Sequence, residues 1–570
     1  MNCMKTSSRA AAWVAALTVV IFTGCAGLGS MEKEIETLGL EASPEPLILR
    51  GDQVELEITG KFPPKYFAKK VSIEATPILT WDGGSASFDA QGFQGEDVAG
   101  NFDVVPFENG KSFSYSSSIP YDPAMEDACE LAVAISGSKG SKSASFDPYV
   151  VGSGVITTPL WVRSDDQFIL VPDNFERVLS YSLEATINYL VNSDNVRSSE
   201  LRDEDWKALL DLVALSASAD SVTITGTRIE AFASPEGEIS LNDNLAAERA
   251  QSAADAMTKS VRKQKMELAE DFFALVPKGE DWIGFKKLMQ ASNIPDKDLI
   301  LRVLEMYTDN NKREEAIRNI AKTYKIIEDE VLPELRRSQL VVSYDVEGYT
   351  DAELMDLCKS NPDILTVEEI LFAATLFESM NDKLEIYQNA ARVHPDDFRG
   401  YNNAGYCLMD MGRETQAKEL FNQALSVERN KAVLNNVAAI KRREGDVDGA
   451  MKLLNEASGA GDEVNYNKGI ILIQKGDYSA AISNMGRSNT VNVALAKMLN
   501  GDANGAKTVL DNAGDDSAVA SYIYAIACAR LGDGAGAKRH LTDALTKDGS
   551  LRAKAERDLE FRDVRDAIGM

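Results

Sequence analysis

Histidine is nearly absent: His394 and His540 are the only two in 570 residues. Both fall in the repetitive C-terminal part, so histidine-based proton transfer and histidine-rich metal sites have little to draw on. No GxSxG elbow, Walker loop or HExxH occurs, and no GxGxxG opens a helix after a strand. These absences remove the common hydrolase, nucleotide-dependent and zinc-dependent chemistries, and the chain reads as a non-enzyme that needs no cofactor and no metal. Cysteine is sparse too, six in all. Cys129, Cys358, Cys407 and Cys528 stand far apart with no CxxC spacing, which predicts buried apolar thiols and no disulfide framework. Basic residues are in deficit, 60 against 89 acidic ones, for a net charge of -29. A nucleic-acid backbone or anionic headgroup would be repelled over most of the surface, so no nucleic-acid partner is expected. Long apolar runs are missing too: "AAAWVAALTVVIF" has 13 residues, too few to span a bilayer comfortably.

That run does have a context. "MNCMKTSSR" puts positive charge before it and "TGC" puts small residues immediately before Cys25, an export pattern. The arrangement resembles a bacterial lipoprotein signal, with Phe22 where that family usually carries leucine. The resemblance implies removal of residues 1–24, acylation of Cys25 and a lipid anchor in the outer membrane. A short tether, 25–44, follows. No acidic cluster directly follows the cysteine, which favours the periplasmic face of that membrane.

From 45 to 165 the chain alternates. Val54, Leu56 and Ile58 interleave with Glu55, Glu57 and Thr59, and Leu131, Val133 and Ile135 behave likewise, which predicts a small β-sandwich. Residues 166–348 mix strand and helix patterns. Strands are expected at 185–192, 222–232 and 336–346, helices at "DEDWKALLDLVAL" and from Asn242, and a helical insertion at about 262–332. The order suggests an α/β sandwich with an insertion. From 360 to 570 the sequence repeats. Gly405, Gly412, Ala417, Phe421 and Ala424 return 33 residues later as Ala438, Gly445, Ala450, Leu454 and Ala457, and the pattern recurs three more times. Small residues let two antiparallel helices approach, and the glycine ends the first of them. This pattern resembles the tetratricopeptide repeat, with "LRAKAERDLEFRDVRDAI" in the place of its solvating cap helix.

Within the mixed region Gly237, Asn242, Leu245, Arg249 and Ala250 fall at the spacings of the OmpA-like, peptidoglycan-associated domain. The resemblance implies that Arg249 grips the carboxylate of diaminopimelate in the wall peptide, with Asn242 in the same site. The family's acid, which accepts the ammonium group, is replaced here by Ser234. Loss of one charge-assisted contact costs roughly 1.5–3 kcal/mol, and Glu236 in the same loop is a candidate substitute. Alternatively, Arg249 pairs with neighbouring acids and Asn242 merely caps the helix.

In the repeats, Asn403, Asn436, Asn467 and Asn492 each stand two residues before the small residue of the first helix. A row of amides on the concave side could hold an extended peptide's backbone, or could bond within each repeat. Arg442, in a basic run with Lys441 and Arg443, could draw in a carboxylate-bearing protein partner.

The fold class expected is therefore multidomain α+β: β-sandwich, OmpA-like α/β sandwich with helical insertion, and all-α tetratricopeptide solenoid. The function expected is a periplasm-facing outer-membrane lipoprotein that binds peptidoglycan and scaffolds a protein partner. The alternative is an assembly scaffold that does not bind the wall and serves an outer-membrane secretion or barrel-assembly complex.

Overall fold

A computed structural model describes residues 27–570. Cys25 and the export segment 1–24 lie outside the described residues. Two compact units form, one from residues 27–171 together with Lys383–Met570, the other from Pro172–Asp382.

The first unit opens with the sandwich. Glu41–Arg50, Gln53–Phe62, Lys111–Pro120 and the short Val155–Ile156 make one sheet, and a seven-stranded sheet centred on Ser72–Trp81 and Cys129–Lys139 makes the other. The alternating residues turn inward: Val54, Leu56, Ile58, Leu131, Val133 and Ile135 are all buried in one core, together with Phe62 and Phe93. Two boundaries differ from the sequence reading. The expected tether is folded, because Leu28 and Met31, three apart on the helix Leu28–Lys33, are each 1% exposed in the sandwich core. Gly137 makes the room for it, since a Cβ there would come 2.4 Å from Leu28 Cδ2. The sandwich strands also stop at Ile156, not near 165.

The remainder of this unit is a stack of helix pairs: Phe398–Asp410 with Glu414–Val427, Lys431–Arg443 with Val447–Glu456, Asp462–Gln474 with Tyr478–Met485, Val491–Leu499 with Ala503–Ala513, and Ala518–Arg530 with Gly534–Lys547. The glycine between each pair, as at Gly445 (φ 90°) and Gly501 (φ 89°), takes the left-handed conformation that other residues resist. In four pairs the next residue is an aspartate (Asp446, Asp477, Asp502, Asp533) whose side chain accepts a backbone N–H of the second helix. The C-terminal cap is a chain of short turns rather than one helix. Asp558 interrupts it by accepting the Glu560 N–H, and the buried Phe561 packs against Tyr522 with ring centres 5.6 Å apart.

Burial pushes Asp558 up from 3.8 to about 6, although the Glu560 N–H and the Tyr522 hydroxyl both donate to it. The folded chain thus holds this proton more tightly than the unfolded chain does. The sign follows: Asp558 costs nothing below about pH 4, and its penalty grows as pH rises to about 6. Asp558→Asn, which keeps the cap, is expected to stabilise the protein by up to about 3 kcal/mol at pH 7 and by little at pH 4. Urea unfolding at the two pH values measures this difference.

In the second unit a four-stranded sheet runs in the order Val178–Asn188, Arg337–Glu347, Val222–Ala233, Ala274–Glu280, the last pair parallel and the others antiparallel. Glu204–Ser218 and Ile239–Lys263 pack on it through Trp206, Leu209, Ala250, Ala253 and Met257. The fourth strand falls inside what the sequence presents as insertion. Pro277 and Gly279 in "ALVPKGE" are strand breakers, tolerated here because the strand is an edge with a register shift opposite Ala231/Phe232. The helical insertion therefore begins at Trp282 and has its own small core around Phe285, Ile300 and Leu332. Among the described residues no helix is long and apolar enough to cross a membrane.

Candidate functional site: an asparagine ladder and its strap

Asn403, Asn436, Asn467 and Asn492 occupy the first helices of four successive pairs, each at most 1% exposed. Along them lies the chain's own segment 163–171. Asn403 donates from Nδ2 to the Val171 carbonyl at 2.8 Å and accepts the Val171 N–H on Oδ1 at 3.0 Å. Asn436 treats Ile169 in the same way at 2.8 and 2.7 Å, Asn467 treats Gln167 at 2.8 and 2.8 Å, and Asn492 treats Arg163 at 3.0 and 2.8 Å. A side-chain amide has the same donor and acceptor as a peptide group, so each asparagine closes a two-bond ring with one strap residue. The strap descends in number as the ladder ascends, two residues per repeat. The last step takes four. There Asp165 substitutes for backbone, accepting from Asn492 Nδ2 at 2.6 Å and from the Tyr466 hydroxyl at 2.7 Å. Burial raises the Asp165 carboxyl above its ordinary value.

Asn402 and Asn435, adjacent to two rungs, add second bonds to the Ile169 and Gln167 carbonyls at 3.0 and 2.9 Å. They also link the rungs laterally: Asn436 donates to Asn402 and Asn467 to Asn435. Sequence reasoning missed both, although the doublets at 402–403 and 435–436 carried the signal. Side chains then fix the register. Arg442 places Nε and Nη2 on the two Asp166 oxygens at 2.5 Å each, Arg443 adds Nε at 2.8 Å, and the Asp166 side chain is 0% exposed. Phe168 stacks on Phe421 at 5.8 Å, and Trp161 lies on Tyr522 at 4.6 Å. The ladder and Arg442 thus meet as one site, and its occupant is intramolecular. Beside the strap an open crevice of about 460 Å³ remains, walled by Phe168, Tyr406 and Met409 and rimmed by Asp410 and Glu463.

The helix pairs with their glycine and aspartate turns have a counterpart among known repeats. Residues 398–431 match the family model described as Tetratricopeptide repeat. The C-terminal region is a tetratricopeptide solenoid, and such repeats are protein-interaction modules. Among solved structures the chain is similar to PilF of Pseudomonas aeruginosa, at 16% identity over 38% of this chain and 98% of that one, with TM-score 0.28. It is also similar to PilW, a type IV pilus biogenesis factor, at 16% identity, 38% and 97% coverage and TM-score 0.27. A third is YrrB, a tetratricopeptide protein with an unusual peptide-binding site, at 15% identity, 36% and 98% coverage and TM-score 0.22. No curated protein matches significantly.

The second cluster of candidate residues lies in the other unit. Arg249 is 1% exposed. Its guanidinium donates to three backbone carbonyls, Nη1 to Phe232 at 2.8 Å, Nε to Ser193 at 3.0 Å and Nη2 to Leu190 at 3.3 Å, and sits 5.1 Å from the centre of the Tyr189 ring. Burial pulls it down to about 10, which leaves it charged at neutral pH. Ser234 and Glu236 come together, Oγ to Oε1 at 2.6 Å, but the cation on Glu236 is Arg336 at 2.8 Å. Asn242 donates to Glu280 at 3.0 Å, and Glu314 of the insertion accepts the Gly237 N–H at 2.8 Å. The gap between this loop and the insertion, lined by Pro235, Trp282, Phe285 and Glu314, holds about 10 Å³. That admits one water at most, not an amino acid.

Proposed function

We propose that this protein is a non-catalytic scaffold at the periplasmic face of the outer membrane, whose solenoid clamps the chain's own strap and whose α/β domain is a docking platform rather than a wall anchor. The single observation carrying the reading is the strap on the asparagine ladder: a groove of tetratricopeptide type engaged in cis is an organising device. Partner binding then falls to the surfaces left open, the crevice beside Phe168 first among them. The engagement of Arg249 with three carbonyls supports the platform over peptidoglycan binding, since a guanidinium so placed has no face toward a wall peptide. The order strand, helix, strand, helix, strand, helical insertion, strand supports the OmpA-like resemblance of the domain. The export pattern ending at Cys25 supports the lipid anchor and, with it, the location.

Crosslinking on intact cells tests this directly. The protein is expected to be recovered joined to another envelope protein, and Asp410→Lys with Glu463→Lys at the crevice rim is expected to abolish that adduct while leaving the fold intact. Recovery of the uncrosslinked chain alone, sedimenting with purified sacculi, would sink the scaffold reading in favour of the anchor.

A further inference from the structure

Val178–Asn188 is the outermost strand of its sheet, hydrogen-bonded on one side to Arg337–Glu347. Its even-numbered residues face the open side. At Thr186 and Asn188 that side is closed by the protein itself, where Asp205 accepts the Thr186 N–H at 2.8 Å and Glu200 accepts the Asn188 N–H at 2.9 Å. From Val178 to Glu184 no such closure is made among the described residues, and Val178, Leu179 and Tyr181 are 48%, 43% and 48% exposed. This stretch has none of the usual guards of an edge: no proline, no bulge in its register and no charge before Glu184.

The unguarded stretch is "VLSYSLE", and residues 179–183, Leu-Ser-Tyr-Ser-Leu, read the same in both directions about Tyr181. Tyr181 is also the midpoint of 178–184. An antiparallel strand laid against this edge must satisfy the outward N–H and C=O of residues 178, 180, 182 and 184, and only an extended backbone can do so. We propose that this edge pairs with the same edge of a second copy of the chain about a two-fold axis at Tyr181. Ser180 then stands opposite the partner's Ser182 and exchanges both hydrogen bonds with it, and Val178 does so with the partner's Glu184. The two Tyr181 residues form the close, non-hydrogen-bonded pair at the axis, and Leu179 meets the partner's Leu183 on the same face. Each copy presents the same patch, as a two-fold interface requires, and the paired sheet extends to twice its strands. Asp205 and Glu200 fix where pairing stops. The inference stands apart from the scaffold reading, since a wall anchor could dimerise through the same edge.

Tyr181→Cys tests both the contact and its register. Non-hydrogen-bonded antiparallel partners have Cα atoms about 4.5 Å apart, within disulfide reach, and the cysteines at 129, 358, 407 and 528 are buried. In the full chain carrying Cys3→Ser and Cys25→Ser, mild oxidation of Tyr181→Cys is expected to give a covalent dimer. Leu179→Cys, whose counterpart at this register is Leu183, is expected to give none. Ser182→Pro removes an outward N–H without touching the inner ladder, and it should convert the dimer to monomer in sedimentation at near-physiological salt while the circular dichroism stays unchanged. A wild-type chain that sediments as monomer, or equal crosslinking at 179 and 181, would overturn the proposal.

Discussion

Replacing Arg442 with alanine is expected to destabilise the strap and solenoid by about 3 kcal/mol, the low end of what breaking a buried ion pair costs when one partner stays behind. The low end applies because Arg443 Nε remains 2.8 Å from Asp166. The Asp166 side chain is fully buried, so water cannot take over the contact that Arg442 makes. Asp166→Ala strands the Arg442 guanidinium instead, while Arg443 keeps Glu414 at 2.8 Å, and the double variant removes the mismatch. The cycle should therefore show strong coupling, with the double variant less damaged than the sum of the singles. Urea unfolding, followed by tryptophan fluorescence to which Trp161 on Tyr522 contributes beside the other tryptophans, measures the loss. A loss below about 0.5 kcal/mol, the level of an exposed pair, would show that the strap is held by its backbone bonds alone.

Backbone recognition also decides what could be seen in the sequence. The repeats were legible because their chemistry is local: a left-handed glycine, an aspartate cap and a small residue at the helix crossing recur at fixed spacing, and each works within one helix pair. The amide row was legible for the same reason. Its occupant was not. Ladder and strap are 232 to 329 residues apart, and an amide that reads N–H and C=O imposes no side chain on what it holds. Asp165 and Asp166 bear a mark, charges that must meet Asn492, Tyr466 and Arg442, and nothing in one sequence pairs them. The helix within 25–44 is hidden in the sequence for a similar reason. Leu28 and Met31 show less than one full turn of apolar spacing, too little to announce a helix until Gly137 is seen beneath it.

The loop around Arg249 was legible as a pattern and not as a site. Gly237, with φ 106°, and the spacing to Asn242 and Arg249 are local and real. The residues that determine the chemistry there, Arg336, Glu280 and Glu314, come from the residue before the closing strand, from the edge strand Ala274–Glu280 and from the insertion. They reach the loop only through the fold. Glu236 lies where a replacement for the missing acid would be sought, yet it is neutralised by Arg336 and bonded to Ser234.

Arg249→Ala is accordingly expected to act on stability before it acts on any ligand. It orphans the carbonyls of Leu190, Ser193 and Phe232 and opens a cavity under Tyr189. Each unpaired buried acceptor costs about 1–3 kcal/mol; the three bonds are part-buried and water can reach the exposed Leu190, so a loss of about 3 kcal/mol in the α/β domain is expected, measured by thermal or urea unfolding. Arg249→Lys keeps the charge but cannot span three carbonyls in different directions, and it should recover only part of the loss. This separates the two readings of the residue. If Arg249 is a buried strut, the folded wild-type chain stays in the supernatant of purified sacculi and both variants differ from it in melting temperature alone. If it is a ligand for the wall peptide, wild type pellets, and Arg249→Lys, examined where its circular dichroism is native, does not. The three-carbonyl geometry argues for the first outcome, because moving the guanidinium to a ligand would break its bonds to the loop after the first strand and to the strand carrying Phe232 together.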